Sequence, residues 1–222
     1  MTGMKTITPI LSKPEVVYPE SDNEPIAENT KQYEYIVTVK GGLDAVFRDE
    51  PNIFVAADLF WYPVKGNNKI RTAPDTMVVF GRPKGHRGSY LQWKEADIAP
   101  QTVFEILSPG NRVGKLAEKF EFYDFYGVEE YYVYDPDEGT LAGWLRRKKK
   151  LVVIKTMEGW ISPRLKVRFE LQDGELCLFG PDGKKFATYA ELVEQAARTE
   201  KAEQRAAKLA AQLKALGVEP EV

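Results

Sequence analysis

The sequence predicts a mixed α/β fold, in which helices pack against a mixed β-sheet and a long helix follows at the C-terminal end. Three observations carry this prediction. Short apolar runs of strand length alternate with segments of helical periodicity, hairpin-type sequences follow after residue 140, and the chain from residue 187 onward is rich in Ala, Glu and Lys. The 222 residues suffice for one domain with appendages, and a hydrophobic content of 43% can fill its core.

Residues 1–28 form the first segment, which we interpret as a flexible or extended arm because prolines recur in it and large apolar residues are few. A helix is expected to begin at Asn29 or Thr30 and to reach about Phe47, since its apolar residues fall mostly at helical spacing. A strand is the competing interpretation, because residues 36–39 are all β-branched and two glycines follow them.

Four apolar runs are candidate strands in the predicted domain, which covers residues 29–186. They are Ile53–Ala57, Thr76–Phe80, Val103–Leu107 and Tyr131–Tyr134. Between the last two, residues 115–126 carry an apolar face at helical spacing, and Gly127 is the expected end of that helix.

Two hairpins are expected in the second half of this domain. The runs 141–145 and 151–155 flank five consecutive cations, which would form the tip of the first hairpin. The runs 166–171 and 175–179 flank Asp173–Gly174, a strong turn dipeptide.

The segment 187–222 is predicted to be a helix that opens with a capping box from Thr188 to Glu191. Two sets of positions repeat every seven residues along it, and six of these eight positions are Leu or Ala. They are Leu192, Thr199, Ala206 and Leu213, and Gln195, Ala202, Leu209 and Leu216. This pattern favours a coiled coil that joins two copies of the chain, and a tail helix lying on its own domain is the alternative.

The residue composition excludes several classes of site. One histidine, His86, and one cysteine, Cys177, cannot build a Cys/His zinc site or a disulfide within one chain. A hydrolase triad would have to use His86, which lies in a Gly-rich basic loop. No apolar stretch approaches the length of a signal-peptide core or a membrane span, so we expect a cytoplasmic protein with no membrane partner.

Two acids and one lysine form the strongest candidate site. Asp75 stands at the mouth of an apolar strand, and Glu105 lies inside another. A buried, ionised carboxylate is costly, so Glu105 needs a cation, a hydrogen-bond network or a protonated state. Lys119 is predicted on the sheet-facing side of the next helix, from which its ammonium could reach the strand ends.

Two carboxylates and a lysine at one edge of a sheet suit a hard divalent cation. Mg²⁺ prefers oxygen ligands and often uses one or two protein carboxylates, so Asp75 and Glu105 are its predicted ligands, with Mn²⁺ as an alternative ion. Such an ion can activate water for attack on a phosphodiester, and Lys119 can orient or deprotonate that water or stabilise negative charge. Each residue also has a structural alternative: a turn residue for Asp75, an ion pair with Arg71 or Arg82 for Glu105, and a surface position for Lys119.

The order of these residues matches a known pattern. It consists of Arg71, Pro74–Asp75, Phe104–Pro109, Lys119, Tyr123, Gly127–Tyr131 and Asp135–Pro136. Over roughly residues 29–180 the chain resembles the Uma2 family of endonucleases, whose fold is similar to that of the PD-(D/E)XK or restriction-endonuclease superfamily. The resemblance implies a restriction-endonuclease-like mixed β-sheet flanked by helices, and a Mg²⁺-dependent site that cleaves phosphodiesters of DNA.

The resemblance also implies roles for individual residues. Asp75 would be the acid of the "PD" motif and Glu105 the second acid. The superfamily places a lysine two residues after that acid, where this chain has Leu107, so Lys119 on the following helix is the implied replacement. Asp58 is a further acid that a neighbouring strand could bring to the site.

Basic residues accompany the candidate site in the sequence. Residues 71–120 hold eight Lys or Arg against five Asp or Glu, although the whole chain has a net charge of -2. The loop that carries Arg82, Lys84 and Arg87 is expected near the acids, and it is the candidate contact for DNA phosphates. A solvated loop is the alternative.

The sequence therefore predicts a cytoplasmic, Mg²⁺-dependent DNA endonuclease with Asp75, Glu105 and Lys119 in its active site. The main alternative is a non-catalytic DNA-binding or assembly protein that keeps the same fold, which Leu107 and the coiled-coil pattern favour. A carboxylate-pair hydrolase acting on sugars is a further alternative, but it leaves Lys119 without a role.

Overall fold

The computed structural model describes residues 16–21, 27, 29–108 and 113–216. Most of the expected N-terminal arm and the end of the expected C-terminal helix lie outside the described residues. The helices within the described residues are α1 (Thr30–Val46), α2 (Val113–Phe125) and α3 (Tyr189–Ala215). The strands there are β1 (Ile53–Ala56), β2 (Trp61–Tyr62), β3 (Thr76–Phe80), β4 (Tyr90–Leu91), β5 (Thr102–Ile106), β6 (Glu130–Asp135), β7 (Thr140–Arg147), β8 (Lys150–Val153), β9 (Arg168–Gln172) and β10 (Glu175–Phe179).

The central sheet has six strands in the order β1-β3-β5-β6-β7-β8. The neighbours β5 and β6 are parallel and are connected through α2, as parallel strands require a crossover. The other neighbouring pairs are antiparallel. The sheet is therefore mixed, and the four apolar runs predicted as strands are its members β1, β3, β5 and β6.

Helix α1 covers one face of this sheet. Its N-cap is Asn29, whose side-chain oxygen accepts the Gln32 backbone N–H at 2.8 Å, as the sequence predicts. The buried stripe Ile36, Val39 and Leu43 packs into the core on this face. Burial of this stripe outweighs the low helix propensity of the β-branched run, so the strand interpretation is wrong.

Helix α2 covers the opposite face. Its Tyr123 packs in a second core cluster together with Val103 of β5 and Tyr131 of β6. The helix ends just before Gly127, which has φ of 90°, a left-handed conformation that glycine adopts without strain. Helices thus flank both faces of the mixed sheet, and with the long α3 the predicted fold class is confirmed.

Both predicted hairpins are present. The strands of the first, β7 and β8, extend into the basic run and pair Arg147 with Lys150, so its tip is shorter than expected. The second joins β9 to β10 through Asp173 and Gly174, which both have positive φ.

The C-terminal helix α3 has Thr188 as its N-cap, and the predicted capping box joins Thr188 to Glu191. No residue of α3 is buried, so in the described part of the chain this helix does not lie on its own domain. None of the helices in the described ranges is long and apolar enough to cross a membrane.

Candidate active site

Strand pairing brings the candidate acids to one edge of the central sheet. Asp75 directly precedes β3, and Glu105 is the residue before the end of β5. The antiparallel register of these strands, continued by one residue, places Asp75 beside Glu105. The register of β3 with β1, continued by two residues, brings Asp58 level with Asp75, and the Asp58 N–H donates to the Pro74 carbonyl at 3.1 Å.

The Glu105 carboxylate is buried, with 3% of the residue exposed, and both of its oxygens are hydrogen-bonded. The Lys119 ammonium donates to Oε2 at 2.6 Å, and the Tyr123 hydroxyl donates to Oε1 at 2.5 Å. Lys119 also donates to the carbonyl of Ala73 at 3.3 Å, next to the segment that leads into β3. Helix α2 therefore supplies the cation that a buried glutamate requires.

The structural alternative of an ion pair between Glu105 and an arginine is wrong. Arg71 instead lies over the Phe60 ring, with 4.4 Å between its guanidinium carbon and the ring centroid. Arg82 forms an ion pair with Glu95 at 2.8 Å.

Asp75 lies beside this ion pair, and its pKa is raised above the ordinary value of an aspartate. Its Oδ2 accepts the Ile106 backbone N–H at 2.6 Å, while its other oxygen has no hydrogen-bond partner among the described residues. Burial, followed by repulsion from the charge of Glu105, raises the pKa of Asp75 to about 8, against the opposing effect of Lys119. Two acids thus face a single lysine, whose charge cannot neutralise both carboxylates when both are ionised.

Lys119 is a stable cation in this setting. Burial alone would lower its pKa, but the charges of Glu105 and Asp75 outweigh that effect and raise the pKa above the ordinary value of a lysine. A lysine that stays protonated at neutral pH can stabilise negative charge and orient water, but it is not suited to removing a proton from water.

The oxygen-rich donor set fits a hard divalent cation that keeps several of its own waters, because such an ion needs only one or two protein carboxylates. Asp75 and Glu105 provide these carboxylates, and one oxygen of Asp75 has no protein partner in the described part of the chain. Asp58 is close enough to contribute to raising the pKa values of Asp75 and Lys119. The described residues nevertheless contain no group of three His, Cys, Asp or Glu side chains arranged to hold a metal ion.

The expectation that Arg82, Lys84 and Arg87 lie near the acids is wrong. Strand β3 begins beside Asp75 and runs away from it, so the loop after Phe80 leaves from the opposite edge of the sheet. The direction of β3 relative to β5 depends on their pairing, which the sequence of either strand does not reveal.

The three cations of this loop have structural partners. Arg82 and Arg87 both pair with Glu95, at 2.8 and 2.6 Å. Lys84 donates to the carbonyls of Phe47 and Arg48 at 2.5 and 2.9 Å, where a cation offsets the negative end of helix α1. A contact between this loop and DNA stays a prediction.

Tyr123 is a member of the site that the sequence did not single out as functional. The available signal is its position four residues after Lys119, which places both side chains on one face of α2. The spacing alone also fits an ordinary core tyrosine, so only the contact with Glu105 distinguishes the two roles.

Comparisons with known proteins give a structural finding and a family finding. A solved structure with similarity to this chain is titled "Crystal structure of a putative nuclease belonging to DUF820 from Anabaena variabilis ATCC 29413". It shares 19% sequence identity and a TM-score of 0.45, and the similarity covers 61% of this chain and 72% of that chain. The comparison with curated proteins finds no match.

The family finding covers the sheet and the candidate site. The model of the family Uma2, described as "Putative restriction endonuclease", matches residues 28–165, which include Asp75, Glu105 and Lys119. Because this match spans well over half of the 222 residues, the chain belongs to the Uma2 family.

Proposed function

We propose that this chain is a Mg²⁺-dependent endonuclease that hydrolyses phosphodiester bonds of DNA in the cytoplasm. The observation that carries the proposal is the convergence of two carboxylates and one ammonium, those of Asp75, Glu105 and Lys119, at one edge of the sheet. Membership of the Uma2 family supports a nuclease activity and a nucleic-acid substrate.

Asp75 and Glu105 would hold Mg²⁺, or Mn²⁺ in its place, through carboxylate oxygens. When bound, the ion would supply Lewis-acid stabilisation of the phosphate charge and activation of water. Its charge would also offset the repulsion between the two carboxylates, which contributes to the raised pKa of Asp75.

Lys119 would act as a fixed cation. In the reaction the oxygen of water forms a bond to phosphorus and gives up one proton while an ester P–O bond breaks, and the leaving alcohol oxygen takes up one proton, so the protons balance. Negative charge grows on the phosphate oxygens during this step, and a protonated lysine beside them stabilises it. The contacts with Glu105 and the Ala73 carbonyl keep the ammonium at the edge of the sheet without substrate.

A plasmid-nicking assay in Mg²⁺ tests this proposal with wild-type protein, Asp75→Asn, Glu105→Ala and Lys119→Met. Each substitution is expected to lower the nicking rate at least about 100-fold, since it removes a metal ligand or a charge-stabilising donor. Glu129→Ala is the matched control and should nick as wild type does, because this partly exposed acid directly precedes β6, at the opposite end of the strand from the candidate site. Equal rates for wild type and Glu105→Ala would show that the assigned site is wrong.

The second candidate function is that of a non-catalytic DNA-binding or assembly protein with the same fold. Two observations favour it: Leu107 occupies the usual lysine position, and donors from Lys119 and Tyr123 already engage both oxygens of Glu105. Calorimetric titration with Mg²⁺ separates the candidates. Absence of Mg²⁺ binding, with DNA binding retained in a mobility-shift assay, would favour the second candidate.

We also propose that α3 forms a parallel coiled coil with a second copy of this chain. A helix of 27 residues is about 40 Å long, and without tertiary packing it has little to stabilise it. The heptad positions of α3 are exposed. In the second half of the helix, Leu209, Leu213 and Leu216 make this row of positions apolar. In a parallel pair of helices, Arg198 would face Glu203 of the second copy. These residues flank the row of heptad positions where the two helices would meet.

Light scattering of the full chain and of a chain ending at Phe186 tests this assembly. The full chain should have the mass of a dimer and the truncated chain that of a monomer. An unchanged number of subunits after truncation would rule out α3 as the dimer interface.

A further inference from the structure

Two side chains of helix α2 donate hydrogen bonds to the two oxygens of the Glu105 carboxylate. Lys119 donates to Oε2 and Tyr123 to Oε1, at 2.6 and 2.5 Å. The two donors are four residues apart, so they project from one face of the helix, one turn apart. The orientation of the carboxylate is therefore tied to the position of a single helix.

The Tyr123 hydroxyl has one hydrogen, and the contact with Glu105 directs it to the carboxylate. The Oε1 atom of Glu105, 2.5 Å away, belongs to a group that only accepts hydrogen bonds when it is ionised. Tyr123 is therefore the donor in this bond.

Packing fixes the ring that carries this hydroxyl. Tyr123 has no exposed surface, and its ring stacks on that of Trp61 with 6.4 Å between centroids. The ring of Tyr131 lies on another side at 5.1 Å. The ring cannot turn without displacing these neighbours, so the hydroxyl is held where Glu105 meets it.

Tyr131 provides a natural comparison within the same cluster. It is also fully buried, but its hydroxyl has no hydrogen-bond partner among the described residues. The two tyrosines thus share burial and aromatic packing and differ in whether the hydroxyl holds Glu105.

We propose that Tyr123 is a positioning residue, whose hydroxyl fixes the Glu105 carboxylate beside Asp75 so that the pair can take a divalent cation. This role rests on the proposed metal-dependent function. An incoming cation competes with the positive charge of Lys119 for Glu105, whereas the neutral Tyr123 hydroxyl can keep its bond. Tyr123 therefore preserves the orientation of Glu105 when the charges around it change, as a supporting hydrogen bond does for a metal ligand.

Calorimetric titration with Mn²⁺ tests this role with wild-type protein, Tyr123→Phe and Tyr131→Phe. Tyr123→Phe should bind Mn²⁺ about 10-fold more weakly, since loss of a ligand's supporting hydrogen bond has effects of that size. Tyr131→Phe removes a hydroxyl that makes no bond in the described structure, so its affinity should stay within about twofold of wild type. Circular dichroism confirms that both variants are folded.

The Mg²⁺ dependence of plasmid nicking gives a second readout. In Tyr123→Phe the Mg²⁺ concentration for half-maximal rate should rise about 10-fold, while the rate at saturating Mg²⁺ stays close to wild type. A loss of folded protein would instead lower the maximal rate and leave the half-maximal concentration unchanged.

The outcomes separate this role from the function on which it rests. Equal Mn²⁺ affinities of wild type and Tyr123→Phe would overturn the positioning role and leave the metal-dependent function standing. A wild-type protein that binds no Mn²⁺ would overturn the proposed function, and the positioning role with it.

Discussion

Two glutamates are buried in the same central sheet, at opposite ends of the parallel strands β5 and β6. Glu105 lies near the end of β5, and Glu130 is the first residue of β6, where it pairs with Thr102 at the start of β5. Their exposed fractions are 3% and 0%. Burial alone therefore does not distinguish them, and the difference lies in the groups around each carboxylate.

Neutral donors satisfy Glu130. Its carboxylate accepts the Arg164 backbone N–H at 2.7 Å, the Tyr132 hydroxyl at 3.1 Å and the Ser162 hydroxyl. The Arg164 guanidinium bonds to Glu129 instead. Burial raises the pKa of Glu130, although the hydrogen bonds from Ser162 and Arg164 oppose that shift. These contacts attach the segment after β8 to the sheet, which is a structural role.

Glu105 differs because it and the acid beside it, Asp75, face one lysine, whereas Glu129, the acid beside Glu130, is paired with the Arg164 guanidinium. Glu105 is paired with Lys119, and burial, followed by repulsion from the charge of Glu105, raises the pKa of Asp75. A carboxylate with a complete set of partners stabilises the fold, whereas a pair that lacks neutralising charge is suited to bind a cation. The neighbours of a buried acid therefore indicate its role better than its burial does.

The largest expected effect on stability follows from removing Glu130. Glu130→Ala leaves three donors, two of them buried hydroxyls, without their acceptor and should lower the free energy of unfolding by about 3 kcal/mol. Glu105→Ala should cost less, about 2 kcal/mol, because Asp75 remains as a counter-charge for Lys119 and one buried donor, the Tyr123 hydroxyl, loses its acceptor. Urea unfolding of both variants in metal-free buffer measures the difference. Equal losses for the two variants would remove the distinction between the two glutamates.

A pH series tests the raised pKa of Asp75. The pKa of Asp75 is raised in the folded state, so the stability that its protonated form contributes is complete below about pH 4 and is lost as the pH rises through about 8. Between pH 5 and pH 8, metal-free wild type should therefore lose about 2 kcal/mol more than Asp75→Asn, allowing for the partial exposure of Asp75. Urea unfolding at both pH values with EDTA present is the measurement. Parallel losses in the two proteins would contradict the raised pKa of Asp75.

Added Mg²⁺ should stabilise the site around Glu105 and leave the surroundings of Glu130 unaffected. At ten times the dissociation constant, a cation that binds only the folded state adds about 1.4 kcal/mol to the free energy of unfolding. Thermal unfolding should show this gain in wild type and in Glu130→Ala, but not in Glu105→Ala. A gain that persists in Glu105→Ala would place the cation elsewhere on the protein.

Much of the fold could be predicted from local patterns, but contacts between distant segments could not. The caps at Asn29 and Thr188 and the Asp173–Gly174 turn depend on neighbouring residues, so the sequence reveals them. Glu105 was recognisable because it interrupts an apolar run. Glu130 was not, since it stands at a strand boundary where acids are common and its partner Ser162 is 32 residues away.

Sequence reasoning on the candidate site had the same limit. Asp75, Glu105 and Lys119 could be named from their residue types and from the family pattern. The positions of Arg82, Lys84 and Arg87 could not, because they depend on the antiparallel pairing of β3 with β5. The Tyr123 contact depends on how α2 lies on the sheet, which the helical periodicity leaves open.

The smallest expected effect concerns Glu129, the immediate neighbour of Glu130 in the sequence. Glu129 pairs with the Arg164 guanidinium through two hydrogen bonds of 2.7 and 2.6 Å, but both side chains are about 40% exposed. Solvent screens such a pair, so Glu129→Ala should change the free energy of unfolding by no more than about 0.5 kcal/mol. Urea unfolding beside Glu130→Ala is the measurement. If Glu129→Ala proved as costly as Glu130→Ala, the stability of this region would come from the ion pair, and the buried carboxylate would lose its structural role.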